Sequence, residues 1–341
     1  MNKTFANALA AAVITLPLTL MSGSAMAETA FEAAAKLYAT HQYELAFGRA
    51  MEGAQGGDTN AQLLLGTMYL NGEGVEANGT EALRWIEASA EKNNASALYA
   101  LGVIYRDGAI TLQDLGRARS LIARAADQQH TGAEFLYAQF LATGTGGKAD
   151  PETSIKYYER AAKEGHPDAL YSLGAIYAAG TMRPQDMAKA VDYFQKAAAK
   201  KQPDAAFNMA QLKLDGTHVP QDREGAAKLL EMAAKEGLVE AQTYLGQLYF
   251  SGDGVTQSDE KAVIWFGKAA EADEPFAQAR LARMYALGRG VEQDPLMAYT
   301  YYLIARKNGY DDTQLGDLLS SELTPEKVAQ AEARMKKWFS Q

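Results

Sequence analysis

A 36-residue repeat runs through most of this chain and restricts it to folds built by stacking copies of one unit. Alanine recurs at Ala61, Ala97, Ala133, Ala169, Ala205, Ala241 and Ala277 with no insertion between copies. Counting each alanine as position 0, position +4 is Leu65, Leu101, Tyr137, Leu173, Met209, Leu245 or Leu281. Position +8 is Tyr69, Tyr105, Leu141, Tyr177, Lys213, Tyr249 or Tyr285. Apolar residues at 0, +4 and +8 mark one face of a helix. Position +5 is always glycine or alanine, which lets a second helix pack closely.

The punctuation between helices repeats too. Position +11 is glycine in all seven copies (Gly72, Gly108, Gly144, Gly180, Gly216, Gly252 and Gly288), a residue that ends helices by adopting positive φ. A second glycine follows at Gly74, Gly146, Gly254 and Gly290. Such loops can cradle phosphate, but here no strand precedes and no Lys-Ser or Lys-Thr follows, so the loop reads as a structural turn. Position +17 is Asn78, Asp114, Asp150, Asp186, Asp222, Ser258 or Asp294. All are preferred N-cap residues, and Pro151 and Pro295 then take first helical positions. Capping accounts for carboxylates that would otherwise invite a catalytic or calcium reading. In the second helix, position +21 is alanine except for Ser154, and +24 and +25 are large, as in Trp85-Ile86 and Trp265-Phe266. Their shared phase makes both tryptophans core wedges.

The pattern A-x-x-x-L-G-x-x-Y-x-x-G-x-G-V, then K-A-x-x-W-F-x-x-A-A, resembles the Sel-1-like repeat family, α/α repeats related to tetratricopeptide repeats. The resemblance covers Ala61 to about Asp312. It implies an all-α, right-handed superhelical α/α solenoid and a role in protein–protein interaction. Two copies depart from the pattern. Ile110 replaces a loop glycine, and Met209, Ala210 and Lys213 replace Leu, Gly and Tyr, which is expected to loosen packing locally. The expected organisation is a signal segment over 1–27, an N-terminal helical hairpin cap over 28–60, seven repeats over 61–312 and a C-terminal capping helix over 313–341. Thr324 and Pro325 are expected to open that last helix, with Trp338 and Phe339 packing back on the array.

Asn2-Lys3, an apolar run from Phe5 to Met21 and the small residues Ala25 and Ala27 form the n-region, h-region and A-x-A site of a secretory signal. Cleavage is expected after Ala27, placing the product in the periplasm, with secretion as the alternative. The net charge is −9, which argues against nucleic acid or anionic membrane as partner. The chain has no cysteine, which excludes disulfides, thiolate metal sites and a cysteine nucleophile. Among the four histidines, His130 and His166 occupy equivalent loops of neighbouring repeats, too far apart to share a metal ion. The serines form no G-x-S-x-G elbow, and H-E-x-x-H is missing. No catalytic residue, cofactor or metal is therefore expected.

One row goes beyond the repeat pattern. Position +2 carries Tyr99, Phe135, Tyr171 and Phe207 in four consecutive copies. On a helix, +2, +6 and +9 fall at about 180–240°, away from the core positions at about 0–80°. Gln139, Gln211, Gln247 and Arg283 share the +6 row, and Arg106 lies near it at +9. This row is expected to line the concave face and anchor a protein or peptide partner. The competing reading is packing between adjacent first helices. The leading function is a periplasmic scaffold or adaptor, against a secreted effector or a cell-wall-acting enzyme.

Overall fold

The structure is a computed structural model that describes residues 28–340. The expected export segment lies outside the described residues. Eighteen helices are present among the described residues. In chain order they are α1 (Ala30–Ala39), α2 (Tyr43–Gln55), α3 (Thr59–Asn71), α4 (Gly79–Glu91), α5 (Ala95–Asp107), α6 (Leu115–Asp127), α7 (Thr131–Thr143), α8 (Pro151–Lys163) and α9 (Pro167–Ala179). They continue as α10 (Met187–Ala199), α11 (Pro203–Asp215), α12 (Arg223–Lys235), α13 (Val239–Ser251), α14 (Asp259–Glu271), α15 (Pro275–Leu287), α16 (Pro295–Lys307), α17 (Thr313–Glu322) and α18 (Pro325–Trp338). The class is all-α, with helix pairs repeating as in an α/α solenoid. Among the described residues two compact units are distinguished, residues 28–169 and 170–340.

Helix ends follow the expected punctuation. Asn78, Asp114, Asp150, Asp186, Asp222, Ser258 and Asp294 each accept a backbone N–H of the second helix they open. The seven glycines at +11 all have positive φ, between 64° and 77°. A further left-handed residue stands at +32 in every copy: Gly165, Gly237 and Gly309 in three, Asn93, Gln129, Lys201 and Asp273 in the others. Gln129 and Lys201 carry a Cβ clash in that conformation that glycine avoids and that Asn or Asp tolerates more readily.

Packing within a repeat depends on the small residue at +5. A Cβ on Gly102 would lie 2.5 Å from Ile122 Cδ1, and one on Gly246 would lie 2.8 Å from Phe266 Cδ1. The residue at +25 thus fills the groove that position +5 leaves open. In the first unit, a Cβ on Gly74 would lie 2.3 Å from Tyr43 O and one on Gly146 2.1 Å from Leu115 O. The second loop glycine therefore lets the loop rest on the start of the previous second helix. The second repeat solves the contact in reverse. Ile110 carries the side chain there and Gly79 supplies the space, since a Cβ on Gly79 would lie 3.2 Å from Ile110 Cγ2.

Two expectations need correction. The fifth repeat is not loosened: Met209 and Ala210 are buried, and Lys213 Nζ reaches Asp222 Oδ2 at 2.6 Å. In the second, fourth and sixth repeats a cation at +20 covers the ring at +8: Arg117 over Tyr105, Lys189 over Tyr177 and Lys261 over Tyr249. In the fifth repeat the cation has moved to +8, and Gly225 holds +20. The C-terminal end has two helices where one was expected, because Thr313–Glu322 is itself helical, capped by Asp312. Trp338 Nε1 donates to Asp273 Oδ1 at 2.8 Å and its ring meets Tyr301, while Lys307 Nζ lies 3.8 Å from the Phe339 ring centre.

Candidate functional site

The nine residues of the candidate row divide between the units. Tyr99, Arg106, Phe135 and Gln139 lie in the first, and Tyr171, Phe207, Gln211, Gln247 and Arg283 in the second. All four rings are half-buried. In the first unit Tyr99 stacks on His130 with centroids 4.8 Å apart, and Phe135 stacks on His166 at 4.6 Å. Each histidine precedes the next first helix, so the rings fill the space between adjacent first helices. In the second unit Tyr171 lies 5.9 Å from Phe194, and Phe207 meets Tyr244 edge-on at 5.5 Å.

His130 does more than stack. Its Nδ1 accepts the Ala133 N–H at 3.1 Å and caps α7, which places the ring proton on Nε2. Burial lowers its pKa. Asn94 caps the equivalent helix in the preceding repeat through its side-chain oxygen.

The +6 amides are differently placed. Gln139 and Gln247 are exposed and Gln211 is half-buried. Among the described residues none of the three amide groups has a hydrogen-bond partner. Arg106 pairs with its neighbour Asp107, and Arg283 forms a fork to Asp312, with Nε–Oδ2 at 2.6 Å and Nη2–Oδ1 at 3.0 Å. Within the second unit, a groove of about 440 Å³ runs between α9 and α11 and includes Gln211 and Phe194. Another, of about 420 Å³, runs between α15 and α17 and includes Arg283, Leu287 and Leu318. Leu287 and Leu318 are 68% and 53% exposed, so this second groove presents apolar surface to solvent.

One further cavity invites an acid–base reading. It measures about 330 Å³ and holds Glu134 and Arg160. The repeat explains both residues. At +1, Gln62, Gln242 and Gln278 each donate Nε2 to a carbonyl of the preceding helix, those of Ala54, Ala234 and Ala270, at 3.2 Å. Glu134 stands at +1 in the third repeat and cannot donate. Arg160 Nη2 makes the missing bond, to Ala126 O at 2.9 Å, and also pairs with Glu134 at 2.6 Å. Burial raises the Glu134 pKa while Arg160 opposes the rise. The pair substitutes for one glutamine.

Among the described residues no cluster of three or more metal-ligating side chains occurs, and no helix is long and apolar enough to cross a membrane. The Sel1 repeat model matches residues 59–94, 95–130, 131–166, 167–201, 203–238, 239–274 and 275–310. The chain belongs to the Sel1 repeat family. Proteins of this family are scaffolds for protein–protein interaction and are typically non-catalytic. Among solved structures, a Sel1 repeat protein from Oxalobacter formigenes is 28% identical, with a TM-score of 0.65, covering 72% of this chain and 97% of that one. The c5321 protective antigen of uropathogenic Escherichia coli is 22% identical, with a TM-score of 0.45 and coverage of 91% and 84%. Immunity protein Pa5087 from Pseudomonas aeruginosa is 21% identical, with a TM-score of 0.39 and coverage of 70% and 82%. No curated protein matches.

Proposed function

We propose that the chain is an exported, non-enzymatic scaffold that holds a protein partner along the face presented by its first helices. The observation that carries this reading is the pair of amides at Gln211 and Gln247 in the second unit, whose donors and acceptors have no partner among the described residues. An extended peptide has an N–H and a C=O at every residue, and such amides match both. The grooves that include Gln211 and, further along the same unit, Leu287 and Leu318 supply apolar contact. Export rests on the n-region, h-region and A-x-A pattern ending at Ala27, and a periplasmic product fits the envelope as workplace.

The test is capture from envelope extract by purified protein, comparing wild type with the double variant Gln211→Arg/Gln247→Arg. Both positions have room for the larger side chain, so the melting temperature should stay within a few degrees of wild type. The double variant should lose the captured partner. Unchanged capture would move the binding surface elsewhere. Fractionation decides location: recovery in the culture medium would replace the periplasmic adaptor with a secreted effector.

A further inference from the structure

The +2 row changes character in its last two copies. Thr243 and Ala279 stand where the four preceding repeats carry rings. Ala279 is buried at 5% exposure and lines a small cavity of about 140 Å³ with Phe276, Arg280, Arg283, Tyr310 and Asp312. Three of these residues set its character. Arg283 and Asp312 neutralise each other through their fork. Arg280 has no such partner. Its guanidinium lies 4.8 Å from the ring centre of Phe276 and 5.6 Å from that of Phe250. Among the described residues it makes no hydrogen bond or ion pair. Both rings lie within cation–π distance of the guanidinium, and its N–H groups are left without a protein acceptor among the described residues. Phe276 meets Tyr310 edge-on at 5.9 Å, and Tyr310 is 40% exposed, so the cavity has an aromatic wall reaching solvent.

A half-buried guanidinium of this kind matches a planar carboxylate, which it binds through two parallel N–H bonds. The cavity is too small for a folded element and suits a single terminal residue. Its place in the row decides which carboxylate. The amides at Gln211 and Gln247 offer main-chain contacts, and at the next copy the +6 position is Arg283, already engaged by Asp312. The ladder stops beside Arg280. We propose that this cavity receives the C-terminal carboxylate of an extended partner segment, with Arg280 as its anchor and Phe276 and Tyr310 against the terminal side chain. This deepens the scaffold reading and rests on it.

The experiment titrates the full chain with three probes under ligand-observed magnetic resonance. They are acetyl-Ala-Ala-Phe with a free carboxylate, the same peptide as its amide, and acetyl-Ala-Glu-Phe amide. The free acid should bind at least about tenfold more tightly than either amide, as charge-assisted hydrogen bonds imply. Arg280→Gln should remove that preference, and Arg280→Lys, which keeps the charge and loses the fork, should restore only part of it. Melting curves of both variants should stay within a few degrees of wild type, the loss expected for a cation–π contact. Equal binding of acid and amide would overturn the proposal. So would tighter binding of the glutamate peptide, or a preference that survives Arg280→Gln. The partner-capture assay separates the two readings. If Arg280→Gln captures normally while Gln211→Arg/Gln247→Arg does not, the subsite is wrong and the scaffold stands. If neither variant loses the partner, both fail.

Discussion

The third and seventh repeats share one backbone register and differ in what fills the gap between first helices. In the third, Phe135 stacks on His166, and Tyr99 of the preceding repeat stacks on His130. In the seventh, Ala279 stands in place of a ring, Phe276 and Tyr310 form an edge-on pair, and Arg280 lies across phenylalanine faces without a carboxylate. The first arrangement closes the gap with ring on ring. The second leaves a cavity with a charged edge. A repeat fixes where side chains project and leaves open whether they satisfy one another, and surface available for a partner arises where they do not.

The largest effect should come from removing a ring in each region. Phe135→Ala should cost about 2 kcal/mol in urea unfolding, less than a fully buried phenylalanine because the ring is half-buried. Tyr310→Ala should cost under about 1 kcal/mol, its ring being 40% exposed. Equal costs would mean that the seventh repeat is packed as firmly as the third, and the comparison would fail.

The next effect is pH dependence confined to the first arrangement. His130 Nδ1 must be unprotonated to accept the Ala133 N–H, and burial lowers its pKa in the folded state. The unfolded chain therefore takes up the proton first. The cap's contribution is complete above the unfolded value of about 6.5 and is lost as pH falls through the folded value. Thermal melts from pH 7.5 to 5 should show this loss in wild type and a smaller one in His130→Asn, which copies Asn94. His166, stacked alike and with its pKa also lowered by burial, retains the remainder. An identical pH profile in His130→Asn would remove His130 from the account.

The smallest effect concerns the shared register. Gln129 holds φ at 62° where the next repeat has Gly165. Gln129→Gly should stabilise by about 0.5–1 kcal/mol, since glycine carries no Cβ penalty there. Destabilisation would show that its side chain makes a contact that outweighs the strain.

Much of the architecture was legible because each instruction is written seven times. Asp150 alone looks like a candidate carboxylate, and in phase with Asn78 and Ser258 it reads as a cap. The same logic failed where the phase slips. Asp312 stands 38 residues after Glu274, so the first-helix equivalent at Thr313–Glu322 fell outside the 36-residue frame. Lys213 shows no partner in the sequence, because Asp222 reads as a cap in phase with its siblings and the second role emerges only in space. Arg280 gave no signal, since its position reads Leu64, Ala100, Leu136, Ser172, Asn208, Tyr244 and Arg280, with no common chemistry. Its significance depends on Phe250 and Phe276, at different positions in the repeat, meeting it in space.

The central claim is that the first-helix face holds the partner, and photo-crosslinking in envelope extract tests it most directly. A photoreactive residue replaces Gln139, Gln211, Gln247 or, on a second helix, Lys228, whose side chain is 72% exposed. The account predicts one crosslinked partner of the same size from the three glutamine positions and none from Lys228. Crosslinks from Lys228 with none from the glutamines would contradict it.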